Sequence, residues 1–285
     1  MSGVEGEKLT EEQNWSGPMG QRWLANLDRF ESMIAPVGEA LLGAAAFQPG
    51  ERVVEIGCGG GANSLQIAAQ VAPGGTVLGL DISEPLIGAS RSRAAAAGVR
   101  NARFMAGDAA TAALPEASFD RLFSRFGVMF FSDPHAAFAH MHGFLRPGGR
   151  LDFACWGPPD ENPAFSDIGK VMRRYVDSPP PAPRTPGPLA FGEQDYVRDI
   201  LTHGGFRDIA ITPWRGEVYM GGAGATPEAA VAFSTESSTS AAAFADLPPD
   251  IQAAARKDLL ELFTRRHGPR GVAFEAMVWL VGAAA

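Results

Sequence analysis

Val53-Val54-Glu55-Ile56-Gly57-Cys58-Gly59-Gly60-Gly61 decides the fold. Arg52 to Ile56 reads as a short buried strand, and the run of glycines ends it. A helix over 62–72 follows, with Leu65, Ile67, Ala68 and Val71 on its apolar side. Glycines at such a junction let the backbone approach a ligand, and the helix N-terminus offers free N–H groups. Outward from this loop the rhythm repeats. Thr76 to Asp81 is a strand and 84–97 a helix capped by Ser83; Ala102 to Gly107 is a third strand and Phe119 to Ser124 a fourth. Pro134 suits the first turn of a helix capped by Ser132 or Asp133 and ending near Leu145, and Arg150 to Cys155 is a fifth strand. Strands alternating with helices predict parallel βαβ crossovers, an α/β fold with an open doubly wound Rossmann-like sheet.

On either side the pattern differs. Residues 1–13 are polar and acidic, a mobile tail unlike a signal peptide. Trp23, Leu24, Leu27, Phe30 and Ile34 fall at helical spacing over 18–34, and a second helix runs from Pro36 to about Ala45. After Trp156 a helix is predicted over 163–176, a proline-rich connector over 178–188, a helix over 193–202 and a strand over 207–212. Residues 226–266 read as mostly helical and Val272 to Val281 as the last strand. The chain is divided accordingly into a tail with lid helices (1–49), a ligand-binding core (50–156), a cap insertion (157–190) and a C-terminal part of the sheet with inserted helices (191–285).

Composition narrows the function. With 285 residues, 46% hydrophobic and 20% charged, the chain has the balance of a soluble globular protein with a sizeable core. A net charge of −8 argues against a nucleic-acid groove, which needs a basic face. Two cysteines, Cys58 and Cys155, are too few for a disulfide framework or a structural zinc site. The longest apolar run, Ala276 to Ala285, is half a membrane span, so a cytoplasmic, non-integral protein is expected.

Asp81 lies 24 residues after Gly57, at the end of the second strand, where a carboxylate accepts from ribose hydroxyls. Gly57, Gly59 and Ala62 also match the looser dinucleotide fingerprint. Charge separates the two ligands. Glu55 precedes the first glycine by two residues, and a carboxylate there repels a pyrophosphate but attracts a cation. S-adenosylmethionine, with its sulfonium and ammonium, is therefore favoured over NAD.

With the segments Leu78-Gly79-Leu80-Asp81-Ile82-Ser83, Phe104-Met105-Ala106-Gly107-Asp108-Ala109, Ser118 to Ser124 and Leu145-Arg146-Pro147-Gly148-Gly149-Arg150, the chain resembles the class I S-adenosylmethionine-dependent methyltransferases over about residues 50–156. Within them it most resembles the small-molecule branch of the ubiquinone and menaquinone C-methyltransferases. The resemblance implies a seven-stranded sheet of order 3-2-1-4-5-7-6 with strand 7 antiparallel. In that order Cys58 and Cys155 are two strand spacings (~10 Å) apart and remain free thiols. The resemblance implies cofactor contacts from Glu55, Gly57, Cys58, Gly59, Asp81, Ile82, Gly107, Asp108, Ala109 and Ser124. Glu55 and the glycines would surround the methionine end, Asp81 would hold the ribose and Ile82 would pack on adenine. Asp108 would accept from the adenine amino group. Ile82 also reads as ordinary core, and Asp108 as a cap after a strand.

Acceptor contacts are expected from Trp15, Arg125, Phe126, Met129, Phe130 and Trp156, although some of the aromatic cluster must be core. His135 is the best-placed histidine for a base, and equally a solvated first-turn residue. No metal is expected, since no carboxylate cluster suggests Mg²⁺. The reading is thus a methyltransferase moving a methyl group from S-adenosylmethionine, leaving S-adenosylhomocysteine, to an O, N or C nucleophile of a small, largely apolar metabolite. The chain would act as a monomer or homodimer. An NAD(P)-dependent oxidoreductase and a non-catalytic S-adenosylmethionine-binding regulator are the alternatives.

Overall fold

The computed structural model describes residues 15–177, 181–237 and 241–285. The tail over 1–13 and the start of the proline-rich connector lie outside the described residues. Eight strands form one sheet of order β3-β2-β1-β4-β5-β8-β6, with the two-residue β7 paired to β8. The strands are β1 (Arg52–Ile56), β2 (Thr76–Asp81), β3 (Ala102–Ala106), β4 (Phe119–Arg125), β5 (Leu145–Trp156), β6 (Arg207–Met220), β7 (His267–Gly268) and β8 (Gly271–Ala284). The first five pair in parallel, and β8 runs antiparallel between β5 and β6. Apart from the two-residue β7, this is the expected order with its antiparallel final strand. Cys58 and Cys155 are free and buried.

The helices depart in detail. The single helix expected over 18–34 is two, α1 (Pro18–Ala25) and α2 (Leu27–Met33), broken at Asn26. There the Asn26 side chain donates to Arg22 O, competing with the helical ladder. Next comes α3 (Ala35–Ala45), followed by α4 (Ala62–Gln70), α5 (Glu84–Ala96) and α6 (Pro134–His142) between the parallel strands. Beyond β5 are α7 (Pro163–Met172), α8 (Gln194–His203), α9 (Pro227–Ser237), α10 (Ala241–Ala245) and α11 (Pro249–Arg266). α6 ends at His142 rather than near Leu145, and β5 starts at Leu145 rather than Arg150, with a register shift against β4 between Phe119 and Arg121. β6 runs eight residues past its expected end at 212, because β8 pairs with it as far as Met220.

Two polar links place the outer segments over the C-terminal ends of the parallel strands. Arg93 on α5 reaches Glu31 (2.6 Å) and Asp28 (2.5 Å) of α2 and the carbonyl of Gly60 (3.3 Å), tying the lid helices to the glycine loop. Buried Asn162 exchanges two hydrogen bonds of 3.0 Å with the backbone of Met277, fixing the start of α7 on β8. Among the described residues no helix is long and apolar enough to cross a membrane.

Candidate functional site

The loop after β1 is shaped by left-handed backbone at Gly57 (φ 66°), Gly59 (φ 53°) and Gly61 (φ 80°). These conformations suit glycine because it lacks a Cβ. At Gly57 a Cβ would also meet Gly127 Cα at 2.7 Å. The loop is thus pressed directly on the segment after β4, and Phe126 in that segment holds a left-handed φ of 63°. A bulky aromatic residue there is strained, and such strain collects at ligand sites.

Both loops open onto one cavity of about 1610 Å³. Glu55, Asp81 and Asp108 line one end. Glu55 is 1% exposed and accepts from the Ser64 hydroxyl. Burial pushes its carboxyl up from 4.5 to about 7; Ser64, Arg125 and Asn63 oppose the shift without cancelling it. The two oxygens of Asp81 accept from the backbone N–H groups of Gly59 (2.8 Å) and Ser83 (2.9 Å). Burial raises the pKa of this carboxyl too. Each oxygen keeps a second lone pair for a ligand hydroxyl. Beside it, Ile82 is the only exposed large apolar side chain among the described residues, at 43%.

The other end is aromatic and apolar. Phe126 stacks on Trp156 with ring centroids 4.5 Å apart, and Phe165 meets Trp156 edge-on at 5.1 Å. Trp15 bridges Trp23 (5.4 Å) and Phe130 (5.0 Å), and its buried indole N–H has no hydrogen-bond partner among the described residues. Met172, Met220, Phe233 and Trp279 extend the wall.

Of the expected residues, Glu55, Gly57, Cys58, Gly59, Asp81, Ile82, Gly107, Asp108, Ala109, Trp15, Arg125, Phe126, Met129, Phe130 and Trp156 all line this cavity. Asp108 also holds its local turn, accepting from Ala110 N at 2.9 Å. Two do not reach it. Ser124 is fully buried, donating to Ile56 O (2.8 Å) and accepting from Gly127 N (3.2 Å), so its hydroxyl is spent on holding the two loops together. His135 is outside the cavity lining, and its Nε2 meets Asp199 at 2.9 Å. Together with His203 these two bring donor atoms within 4.8 Å of one another away from the cavity. Asn63 and the residues of α9 and β8 were not foreseen, whereas α7 belongs to the expected cap insertion over 157–190. Asn63 follows the glycines directly and carried a signal; Phe165, Phe233 and Trp279 are ordinary apolar positions, and only the fold brings them there.

A family model described as a methyltransferase domain matches residues 53–149, about a third of the chain. Over these residues the chain is similar to a methyltransferase domain. Nocamycin O-methyltransferase from Saccharothrix syringae is 32% identical over 183 residues, 61% of this chain and 65% of that protein. Aklanonic acid methyltransferase DauC from Streptomyces sp. (strain C5) is 37% identical over 118 residues, 41% of this chain and 54% of that protein. The chain therefore matches about half to two thirds of the length of these curated relatives. The methyltransferase fold extends further than the family match. Phosphoethanolamine N-methyltransferase 2 from Haemonchus contortus, solved with S-adenosyl-L-methionine, superposes with a TM-score of 0.59 at 16% identity, covering 97% of this chain and 60% of that one. The shared fold thus takes in β6 to β8, which belong to the same sheet as β1 to β5.

Proposed function

We propose that this chain transfers a methyl group from S-adenosylmethionine to an O, N or C nucleophile of a small, largely apolar, ring-bearing metabolite. The carrying observation is the single cavity joining a carboxylate-lined end to an aromatic end. Its 1610 Å³ exceeds the ~300–1,000 Å³ of an ordinary ligand pocket, leaving room for a second molecule beside the cofactor.

The residues fit the cofactor chemically. Buried Glu55 lacks a cation within ion-pair distance and takes the ammonium; Asp81 accepts from the ribose hydroxyls. Exposed Ile82 is covered by adenine, and Asp108 with the Ala109 backbone faces the adenine edge. S-adenosylmethionine supplies an activated methyl group on a sulfonium. The chain's task is alignment, worth up to ~7–11 kcal/mol of the barrier. Trp15, Phe126, Phe130 and Trp156 hold the acceptor face and exclude water, and residues from 158–176 and 181–190 close the far wall as a cap. A buried carboxylate at the glycine loop disfavours a pyrophosphate, and with it the oxidoreductase reading. The open aromatic end disfavours a non-catalytic regulator, which would have that end blocked.

Isothermal calorimetry with S-adenosylmethionine and S-adenosylhomocysteine tests the proposal. Micromolar binding of both is expected; a folded protein that binds neither sinks it.

A further inference from the structure

Among the described residues that line the cavity there is no histidine, lysine or tyrosine. Each carboxylate deep in the cavity is engaged: Glu55 with Ser64, Asp81 with two backbone N–H groups, Glu31 with Arg93. Each of these three carboxylates therefore already has a partner within the protein. The cavity does hold three arginines. Arg184 is paired with Glu193 at 2.8 Å, and Arg173 is exposed to solvent. Arg125, at the end of β4, makes no hydrogen bond or ion pair with any described residue, and Glu55 and Glu31 act on it only through space.

The fold is built around this guanidinium. On α3, Gly38 stands where a Cβ would meet Arg125 Nη1 at 2.7 Å and Asn63 Oδ1 at 3.3 Å. Any larger residue at 38 would displace it. On its other side the strained φ of 63° at Phe126 turns the chain so that Arg125 points into the cavity while Phe126 stacks on Trp156. A half-buried cation without an ion-pair partner among the described residues is costly, and desolvation lowers its pKa. Five N–H donors in a planar fork match an oxyanion.

Resting on the methyltransferase reading, we propose that Arg125 receives an ionised oxygen of the acceptor, a carboxylate or the anion of an acidic enol or phenol. Such an acceptor arrives deprotonated or is held so by the guanidinium, so the transfer needs no base. The acceptor oxygen's lone pair forms the new O–C bond; the C–S bond breaks with its electron pair staying on sulfur. No proton moves, and the negative oxygen and positive sulfur both become neutral. The same chemistry has a second source, the cofactor's own carboxylate, and the experiment separates the two.

The test is calorimetry on wild type, Arg125→Met and Arg125→Lys, each checked for an unchanged melting profile. The ligands are S-adenosylhomocysteine, 5′-methylthioadenosine (which lacks the amino-acid part), and, on the S-adenosylhomocysteine complex, anthraquinone-2-carboxylate against its primary amide. Wild type is expected to prefer the acid over the amide at least tenfold. Arg125→Met should lose that preference, Arg125→Lys should keep part of it, and the cofactor product should bind all three within about threefold. A tenfold loss for S-adenosylhomocysteine with none for 5′-methylthioadenosine would give the oxyanion to the cofactor and overturn the acceptor assignment. Wild type without an acid preference, including binding neither compound, also overturns it. Failure of wild type to bind S-adenosylhomocysteine at all strikes the methyltransferase reading instead.

Discussion

Replacing Glu55 by glutamine should stabilise the free protein while crippling its cofactor affinity. The carboxyl is 1% exposed, and burial moves it from 4.5 to about 7. A folded-state pKa raised above the unfolded one means the native state binds the proton more tightly. The group therefore favours folding below pH 4.5, and that contribution is lost as pH rises to about 7. At ~1.4 kcal/mol per tenfold in proton affinity, ionised Glu55 costs the free protein about 3 kcal/mol above pH 7. Glu55→Gln removes that cost, so at pH 8 its melting temperature should rise by roughly 5 °C. Binding should move the other way. A charged hydrogen bond to the cofactor ammonium is worth about 1.5–3 kcal/mol, so the variant should bind S-adenosylhomocysteine roughly ten- to 150-fold more weakly. In wild type, Glu55 must release its proton to bind. Affinity should fall about fivefold from pH 7 to 6 and about tenfold more from 6 to 5, with a proton released in calorimetry across buffers of different ionisation enthalpy. 5′-Methylthioadenosine, which has no ammonium, should show neither slope nor release. A pH-independent affinity in wild type, or a glutamine variant that keeps the slope, would refute the assignment of Glu55.

Asp81→Asn should weaken S-adenosylhomocysteine and 5′-methylthioadenosine alike, by tenfold or more, since both carry the ribose; calorimetry that finds only one affected would place Asp81 elsewhere. Gly57→Ala puts a Cβ 2.7 Å from Gly127 Cα on left-handed backbone and should cost about 2–3 kcal/mol in urea unfolding; an unchanged midpoint would contradict the close approach of the two loops. His135→Ala should leave cofactor affinity within twofold, because its imidazole faces Asp199 outside the cavity. That contact is open to solvent, so the melting temperature should shift by roughly 2 °C or less.

Local signals carried the first half of the fold. Strand, glycine loop and helix follow one another within 19 residues from Arg52 to Gln70, and each boundary is marked by a residue type with a backbone reason. The same holds for Asp81 and Asp108, whose roles follow from standing at strand ends. What stayed hidden depends on partners far along the chain. Whether Ser124 faced ligand or loop turned on Gly127 and Ile56, whose positions only the packed sheet settles. His135 stood near the right strand, but Asp199 of α8 drew its ring away. The length of β6 was set by its pairing with β8, some sixty residues later, because a strand's own residues give no end where a hairpin partner continues. Phe165, Phe233 and Trp279 carry nothing in sequence that separates a cavity wall from core.

That contrast has a physical basis. Polar recognition is directional, so the cofactor end needs particular atoms on short, rigid connections, and those connections leave a sequence pattern. Apolar contact is non-directional, so the acceptor end draws side chains from Trp15 to Trp279 with no pattern between them. Acceptor-facing residues can therefore change without disturbing Glu55 or Asp81. The exception is the pair of loops pressed together at Gly57 and Gly127. Glu55 leads into one and Arg125 into the other, so the carboxylate proposed to meet the cofactor and the guanidinium proposed to face the acceptor share one support. Through Arg93, which holds both Gly60 and Glu31, the lid helix α2 rests on that same support. Cofactor loop, acceptor charge and lid are thus mechanically one unit, and a ligand that orders the glycine loop also fixes the wall against which the acceptor packs.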